Sequence, residues 1–265
     1  MIKIGVTGAL GKMGSEVIKT VIENSETKGE MTLVMAVDKF ETGKNVYGDV
    51  VIESDLKKAL EATKPDVVVD FTQPSVVFEN AKIYLNAKVK PVIGTTGLSI
   101  EQIRELEELS KKNNTGCFIA PNFTTGAVLM MMFSKMAAKY FDNAEIIEFH
   151  HNRKKDAPSG TAIKTAQMMA EANPDFTRGN VPETELIQGA RGGNFNENGK
   201  GNIHIHAVRM PGFVASQEVI FGSAGQTLKI RHDSIDRECY MGGVQLAIKH
   251  VYDNNDFIYG LENIL

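Results

Sequence analysis

The sequence lacks several features that mark whole classes of proteins. Its only two cysteines, Cys117 and Cys239, lie far apart in 265 residues, which favours reduced thiols over a disulfide framework. No apolar run approaches the roughly 20 residues that a membrane-spanning helix needs. Met1 leads straight into a strand-like segment, so we expect no signal peptide. The formal net charge is −4 without a basic tail, which argues against a general nucleic-acid binder.

The remaining composition is that of an ordinary globular protein. Apolar residues make up 42% and charged residues 23% of the chain, and this length allows one large or two modest domains with real cores. Cys117 lies in an apolar strand-like segment, residues 117–120, where we expect it to pack in the core. We therefore expect a cytoplasmic protein that acts on small molecules.

A glycine pattern follows the first strand-like segment. Gly8, Gly11 and Gly14 are spaced by two residues each and open a helix-like stretch. Glycines there let the backbone turn tightly and approach a pyrophosphate, whose charge a helix N-terminus favours. The next strand, residues 31–37, ends in Asp38, which can accept the ribose hydroxyls of an adenosine. The alternative is a strand-to-helix turn of some other α/β protein, since glycine spacing alone is weak.

Strand and helix patterns alternate through the first half of the chain. We predict an α/β fold with a Rossmann-like, doubly wound parallel sheet, because strict alternation favours that architecture. Ligands of such sheets bind beyond the carboxyl ends of the strands. The polar strand ends expected to line one crevice are Gly8, Asp38, Phe71 with Thr72, residues 94–96 and residues 121–123.

The pattern changes after residue 123. A Met-rich helix at residues 128–140 is followed by strand-like runs at 145–150, 203–210, 216–221 and 227–231. The polar stretch 173–202 reads as a long loop, a candidate lid or interface segment. We predict a second α+β domain on an open mixed sheet. The predicted division is residues 1–123 plus 236–265 for dinucleotide binding, and residues 124–235 for substrate binding and oligomerisation.

The run from residue 148 to residue 161, called here the cationic segment, is the most informative part of the sequence. It places His150 and His151, then Arg153, Lys154 and Lys155, directly ahead of Ser159-Gly160-Thr161 and a helix-like pattern. Cations and helix-start N–H groups can hold carboxylates, and a histidine or lysine can deliver a proton. The segment predicts a small, negatively charged substrate that must receive a proton in the reaction. The alternative is a merely solvated charged face.

Other histidines and Ser159 give weaker signals. His204 and His206 alternate on one strand and face the same side, which could suit a metal, but two ligands without a third favour a polar strand face. We therefore predict no metal site. His232 is ambiguous. Ser159 lacks the Gly-x-Ser-x-Gly context of a serine hydrolase.

The cationic segment, with its His-His-x-x-Lys spacing and its Asp156–Ala162 run, resembles the signature of the dihydrodipicolinate reductase family. Segments around Gly8, residues 94–97, residues 121–123 and residues 230–234 are also similar to that family, so the resemblance covers nearly the whole chain. Arg153 stands where many members carry a third histidine, and the positive charge is kept. The resemblance implies reduction of 4-hydroxy-tetrahydrodipicolinate in the diaminopimelate route to lysine, by a homotetramer.

The resemblance also implies roles for individual residues. His150 and Lys154 match the acid/base and proton-donor positions, and His151, Ser159, Gly160 and Thr161 match the grip on the substrate's two carboxylates. The cofactor-contact positions are Gly8, Ala9, Leu10, Gly11, Lys12, Met13, Asp38, Lys39, Gly94, Thr95, Thr96, Ala120, Pro121, Asn122 and Phe123.

The choice between NADH and NADPH is balanced. Asp38 favours NADH because a carboxylate repels a 2′-phosphate, whereas Lys39 and Lys12 could neutralise that phosphate. We predict that both cofactors work. Two rival functions stay open: another amino-acid or semialdehyde dehydrogenase on the same architecture, and a non-catalytic nucleotide sensor that kept the fold.

Overall fold

The structure, a computed structural model, describes residues 1–176, 184–197 and 200–265. The chain forms two compact units. The first comprises Met1–Thr125 and Tyr240–Leu265, and the second is Gly126–Cys239. Across the described residues, no helix combines the length and the apolar character that crossing a membrane requires.

The elements alternate as the sequence predicts in the first half of the chain. The strands are β1 (Ile2–Thr7), β2 (Met31–Val37), β3 (Asn45–Tyr47), β4 (Val50–Glu53), β5 (Val67–Asp70), β6 (Lys90–Ile93), β7 (Cys117–Ile119), β8 (Asn143–His150), β9 (Gly193–Glu197), β10 (Lys200–Arg209), β11 (Ala215–Ser223), β12 (Gln226–Ser234) and β13 (Phe257–Tyr259). The helices are α1 (Lys12–Thr27), α2 (Leu56–Thr63), α3 (Pro74–Asn86), α4 (Ile100–Asn113), α5 (Thr125–Ala138), α6 (Gly160–Ala172) and α7 (Met241–Asp253), with 3₁₀ turns at Arg237–Tyr240 and Leu261–Asn263.

The first unit is built on one sheet with the strand order β13-β7-β6-β5-β1-β2-β4-β3. Neighbouring strands run parallel, except β3 and β4, which are antiparallel. From β1 the chain builds outward through β2 on one side and then through β5, β6 and β7 on the other. This is the predicted Rossmann-like, doubly wound sheet, and the prediction is confirmed.

Helices cover both faces of that sheet. Val67, Val68 and Val69 of β5 are all fully buried, and successive side chains of a strand point to opposite faces. One core cluster joins Met35 and Val68 to residues of α2 and α3. Another joins Ile93 and Cys117 to residues of α3 and α4. The prediction that Cys117 packs in the core is confirmed.

The second unit is built on a five-stranded mixed sheet with the order β12-β11-β8-β10-β9. β8 and β10 are parallel, whereas the other neighbouring pairs are antiparallel. Alternate residues of the strands, such as Ile146, Ile205 and Val219, are buried in a cluster with Ala166 and Met169 of α6. The predicted second domain on an open mixed sheet is confirmed as a fold, and β8 lies between the sequence neighbours β10 and β11.

Strands also form in two segments for which the sequence analysis gave none. The polar loop after Asp38 holds β3 and β4, and the long polar stretch 173–202 holds β9 and the first residues of β10. Backbone pairing forms these strands: Phe195 lies opposite Ile203 in the antiparallel β9–β10 ladder. Such backbone pairing needs no alternation of apolar residues, so the sequence contains no apolar pattern that would have predicted these strands. Residues 177–183 and 198–199 of the predicted lid segment lie outside the described residues.

Candidate active site

The carboxyl ends of five neighbouring strands lie along one edge of the first unit's sheet. These strands are adjacent and parallel, in the order β2, β1, β5, β6 and β7 across the sheet. The segments that follow them contain all the residues predicted to contact a cofactor. These segments are called here the strand-end loops, and they comprise residues 8–14, 38–40, 71–72, 94–97 and 120–123.

The glycine loop needs glycine for steric reasons. Gly8 has φ +73°, and a Cβ on it would collide with the Phe71 carbonyl oxygen. A Cβ on Gly14 would collide with the Gly8 carbonyl oxygen. The loop is held against the end of β2, because the N–H of Gly8 donates to Val37 O at 3.0 Å. The backbone can therefore approach a ligand closely at this turn.

Helix α1 begins without a side-chain cap. Its N-cap residue, Gly11, is extended and has no side chain to accept a hydrogen bond. The N–H groups of the first turn, including those of Lys12 and Met13, are the orphan donors that an anion can satisfy. Lys12 is exposed, and Ala9 is buried beneath the turn.

The carboxylate of Asp38 organises the loop around it. Its Oδ2 accepts the Leu10 N–H at 3.0 Å, and its Oδ1 accepts the Phe40 N–H at 3.3 Å. A carboxylate has about four acceptor sites, so each oxygen keeps one. Asp38 is half-buried and Lys39 is exposed, with the Lys39 Nζ 5.0 Å from the centre of the Phe40 ring.

The loop after β6 combines buried and exposed residues. A Cβ on Gly94 would collide with the Phe71 ring. Thr95 is buried, and its Oγ1 donates to Asp70 Oδ1 at 3.0 Å. Thr96 is exposed, so it is the hydroxyl of this loop that a ligand can reach from solvent.

The loop after β7 is anchored by an aromatic side chain. The Phe123 ring is buried, with its centre 6.0 Å from that of Phe71 and 5.9 Å from that of Phe118. Ahead of it, Ala120 is buried, Asn122 is half-buried and Pro121 is exposed. A ligand could therefore meet the backbone of this loop and the Asn122 amide, whereas the Phe123 ring serves packing.

In the second unit, His150 ends the central strand β8 and is held by a buried carboxylate. Its Nδ1 lies 2.5 Å from Glu148 Oε2. Arg209, opposite His150 in the neighbouring strand β10, binds both oxygens of the same carboxylate, with Nη2 2.6 Å from Oε1 and Nη1 2.7 Å from Oε2. This bidentate pairing fixes the carboxylate, which in turn fixes the imidazole.

Glu148 is a permanent anion at neutral pH. Its side chain is fully buried. Burial by itself raises the pKa of this carboxyl, but the hydrogen bonds from His150 and Arg209 outweigh it and lower the pKa to about 2. The carboxylate also accepts the N–H of Ser159 at 3.1 Å, so it joins β8 to the residue that caps α6.

Lys154 and His151 lie in the turn between β8 and α6. The Nζ of Lys154 is 2.8 Å from Asp156 Oδ2, and this hydrogen bond lowers the pKa of Asp156. The backbone N–H of Lys154 donates to His151 O at 3.1 Å, and that of Arg153 donates to His151 Nδ1 at 3.2 Å. Nδ1 of His151 is therefore an acceptor, which leaves its proton on Nε2.

The Ser-Gly-Thr step forms the start of α6. Ser159 is the N-cap, and its buried Oγ accepts the N–H of Ala162 at 3.2 Å. Gly160 and Thr161 are the first two residues of the helix, and Gly160 is exposed. Their N–H groups precede the capped position and are placed to bind an anion. The structure thus places the predicted substrate-binding residues in one continuous segment.

His204 and His206 make structural hydrogen bonds. His206 Nε2 lies 2.8 Å from Glu145 Oε2, and His204 Nδ1 lies 2.7 Å from Arg191 O. Within the described ranges, no group of three or more potential metal ligands converges. His232 packs against Gly126, and burial lowers its pKa.

Sequence reasoning missed three charged residues that organise these segments. Asp70 ends the buried strand β5, Glu148 lies on the core side of β8, and Arg209 ends β10. A charged residue at a core-facing strand position signals a buried polar network. Glu148, two residues before His150 on the same face of a strand, could have been found in this way.

Comparisons with known proteins identify the family. The family model described as "Dihydrodipicolinate reductase, N-terminus" matches residues 2–123, and "Dihydrodipicolinate reductase, C-terminus" matches residues 126–265. The chain belongs to the dihydrodipicolinate reductase family. It is 48% identical to the 4-hydroxy-tetrahydrodipicolinate reductase of Listeria innocua, over 99% of each chain. It is 46% identical to that of Lysinibacillus sphaericus, over 100% of this chain and 99% of the relative.

A solved structure of the same family resembles the chain over its whole length. Dipicolinate-bound dihydrodipicolinate reductase from Paenisporosarcina sp. TG-14 is 42% identical, with a TM-score of 0.90 and full coverage of both chains. The predicted family and oxidoreductase class are confirmed. Membership in the dihydrodipicolinate reductase family disfavours both rivals, a different dehydrogenase and a nucleotide sensor.

Proposed function

We propose that this chain reduces 4-hydroxy-tetrahydrodipicolinate to tetrahydrodipicolinate with NADH or NADPH, in the diaminopimelate pathway of lysine biosynthesis. In the overall reaction the substrate loses its hydroxyl as water and gains a hydride and a proton. The observation that carries the proposal is the cationic segment of the second unit. There a carboxylate-held His150, Lys154 and the start of α6 follow one another within twelve residues of chain.

The strand-end loops suit a dinucleotide. Gly8 and Gly14 leave no room for side chains, and the start of α1 offers uncapped N–H groups for a pyrophosphate. The remaining acceptor sites of Asp38 suit ribose hydroxyls. When bound, the reduced nicotinamide supplies the hydride. Around it, we assign Thr96, the backbone of residues 120–122 and the Asn122 amide to holding the cofactor.

Both forms of the cofactor fit the charges around Asp38. The Asp38 carboxylate disfavours a 2′-phosphate, whereas the exposed ammonium groups of Lys12 and Lys39 favour it. None of these three side chains is fully buried, so solvent keeps both electrostatic effects on the 2′-phosphate moderate. Comparable use of NADH and NADPH follows from this balance.

The cationic segment suits a small dicarboxylate. The solved relative is described as bound to dipicolinate, a planar ring with two carboxylates. In this chain we assign one carboxylate to the N–H groups and hydroxyl at Ser159, Gly160 and Thr161, and the other to the His151 side chain. The helix N-terminus and the neighbouring cations compensate the two negative charges.

His150 and Lys154 are the proposed proton donors. Glu148 occupies Nδ1 of His150, so Nε2 is the ring nitrogen left for chemistry. The Lys154 side chain is only 21% exposed, and Asp156 holds its ammonium group. A positioned acid in this place completes the reduction by giving a proton to the substrate.

We also propose a cytoplasmic homotetramer assembled through the second unit. The face of its sheet away from α6 carries half-buried apolar side chains, including Ile147, Phe149, Val208 and Ile220. Charged residues such as Glu218 and Arg231 accompany them and form an ion pair. An apolar centre with paired charges is typical of subunit interfaces.

Genetic complementation tests the proposal directly. The chain is expressed in a bacterium that lacks its own reductase and needs added diaminopimelate. The proposal predicts growth without diaminopimelate for the wild type and no growth for a His150→Ala, Lys154→Ala double variant expressed to the same level. Equal growth of both strains, or growth of neither, would contradict it.

A further inference from the structure

A buried carboxylate sits beneath the strand-end loops. Asp70, the last residue of β5, is 0% exposed. Its Oδ1 accepts the Thr72 N–H at 2.9 Å, the Thr72 hydroxyl at 2.6 Å and the Thr95 hydroxyl at 3.0 Å. Its Oδ2 accepts the Tyr84 hydroxyl at 2.8 Å and the Asn80 amide at 3.2 Å.

All of these donors are neutral. Among the described residues, no Lys, Arg or His lies within ion-pair distance of Asp70. A carboxylate buried without a cation costs free energy, and its hydrogen bonds only offset that cost. At this position in β5, a strand buried on both faces, an apolar residue would stabilise the fold without the cost of burying a charge. The network therefore points to a task other than fold stability.

The donors come from the loops after β5 and β6 and from helix α3. Thr72 follows β5, Thr95 follows β6, and Asn80 and Tyr84 belong to α3. Tyr84 also links Asp70 to the end of β1, because its hydroxyl lies 2.9 Å from Thr7 Oγ1. The single proton of Tyr84 goes to Asp70, so Thr7 is the donor to Tyr84. Burial, and then the Asp70 charge, raise the pKa of Tyr84 well above its ordinary value, which keeps this phenol a donor.

The linked positions border the residues assigned to the cofactor. Thr7 immediately precedes Gly8, and Thr95 lies between Gly94 and Thr96. Asp70 therefore fixes the relative positions of the glycine loop and the β6 loop, while its own side chain is out of contact with solvent. Pre-positioning of loops lowers the ordering cost of binding a ligand.

We infer that Asp70, acting through Thr7, Tyr84, Thr72 and Thr95, is a positioning residue for dinucleotide binding. The inference rests on the proposed function, in which the strand-end loops hold NADH or NADPH. In this inference the Asp70 network sets the geometry of the cofactor site. It takes no part in the proton transfer in the second unit.

Two variants and one control test this. Asp70→Asn keeps the size but replaces one oxygen by an N–H donor, which faces other donors. Tyr84→Phe removes only the hydroxyl between Thr7 and Asp70. The control is Asp66→Asn, one residue before the start of β5, whose carboxylate also accepts a backbone N–H, that of Lys3 at 2.8 Å, but at the opposite end of the sheet. NADH and NADPH affinities are measured by fluorescence titration of the full chain, at a temperature where circular dichroism shows each variant folded.

We expect Asp70→Asn to bind both cofactors about tenfold more weakly, and Tyr84→Phe about threefold more weakly, because each leaves buried polar groups unpaired. The KM for the cofactor should rise more than kcat falls, and Asp66→Asn should match the wild type. A purely structural role would lower the unfolding free energy and leave the affinities of the folded variants unchanged, which would overturn the inference. If Asp70→Asn does not fold, Tyr84→Phe decides by the same criterion.

The two levels of failure are distinguishable. A wild-type chain that binds neither NADH nor NADPH would overturn the proposed function and this inference together. A wild-type chain that binds them, with variants of equal affinity, would overturn only the inference.

Discussion

At the scale of single residues, two buried carboxylates organise the two candidate sites. Glu148 orients His150 in the second unit, and Asp70 joins the strand-end loops in the first. Their electrostatic settings differ, because Glu148 is neutralised by Arg209 whereas Asp70 is satisfied by neutral donors. In the proposed function, the proton chemistry depends on an ion-paired carboxylate, and the cofactor site depends on a hydrogen-bonded one.

Replacing Lys154 by alanine tests the proton donor. We expect kcat to fall by roughly a hundredfold or more, since a positioned general acid contributes about that much. NADH binding should stay nearly intact, because Lys154 belongs to the cationic segment and not to the strand-end loops. Steady-state rates and fluorescence titration measure the two effects.

The neighbouring Lys155 provides the matched control. It is exposed, so Lys155→Ala makes the same change of charge and should keep kcat within about twofold, as most exposed changes do. Equal loss of cofactor affinity in Lys154→Ala, or equal loss of rate in Lys155→Ala, would contradict the role given to Lys154.

The buried Glu148 predicts a specific pH dependence of stability. Its pKa is lowered from 4.5 to about 2, so its contribution to folding is fully present above pH 4.5 and is lost as the pH falls towards 2. Glu148→Gln removes this contribution. The difference in unfolding free energy between wild type and variant, measured by urea denaturation, should shrink across that window. A difference independent of pH would refute the ion-paired state.

Some of the charged residues in the candidate sites could be predicted from the sequence, and others could not. His150, Lys154 and Ser159 stood out because they form a continuous motif. The partner Arg209 lies far from the cationic segment in sequence, and only the pairing of β10 with β8 brings it to His150. Asp70 directly precedes the predicted crevice residue Phe71, but its links to Thr95 and Thr7 depend on the pairing of β5 with β6 and β1. A sequence pattern contains no such register information.

At the scale of elements, the periodicity of apolar residues predicted the strands and helices that pack a face in the core. β1, β2, β5 and β7 are rich in buried side chains, and all were expected from the sequence. β3, β9 and β13 were not expected, because segments of only three to five residues become strands only when a neighbour pairs with their backbone. Tertiary context decides such segments.

Helix α4 offers a test of local stabilisation. Ser99 caps it in a capping box: its Oγ accepts the Gln102 N–H at 3.2 Å, and the Gln102 side chain accepts the Ser99 N–H at 2.9 Å. Ser99→Ala should lower the unfolding free energy by about 1 kcal/mol. Ser25→Ala, inside α1, should have little effect because alanine favours helix interiors. Urea denaturation that gives equal values for the two variants would contradict the capping role.

At the scale of the whole molecule, the chain leaves its first unit near residue 125 and returns near residue 240. Each unit has its own sheet and its own cluster of candidate residues. The dinucleotide role of the first unit and the substrate and assembly roles of the second are proposals that the family supports. Alternating strands and helices predicted the first unit well, while the mixed strand order of the second needed the structure.

The proposed assembly makes a measurable prediction. Sedimentation velocity should show a homotetramer, and Ile220→Lys, which places a charge among the apolar side chains on the face away from α6, should shift it to smaller species. Gln226→Lys, at an exposed position of β12 on the opposite face of the sheet, is the control and should keep the wild-type mass. A monomeric wild type at all concentrations would contradict the assembly.

The most direct test of the account is the rate of reduced-nicotinamide consumption when the substrate is made in place. A coupling synthase produces 4-hydroxy-tetrahydrodipicolinate from pyruvate and aspartate semialdehyde, and the loss of nicotinamide absorbance is followed with NADH and with NADPH. The account predicts turnover that requires the synthase and comparable efficiency with both cofactors. Nucleotide binding without turnover would contradict the proposed reaction, and strict rejection of either cofactor would contradict the balance drawn between Asp38 and the neighbouring lysines.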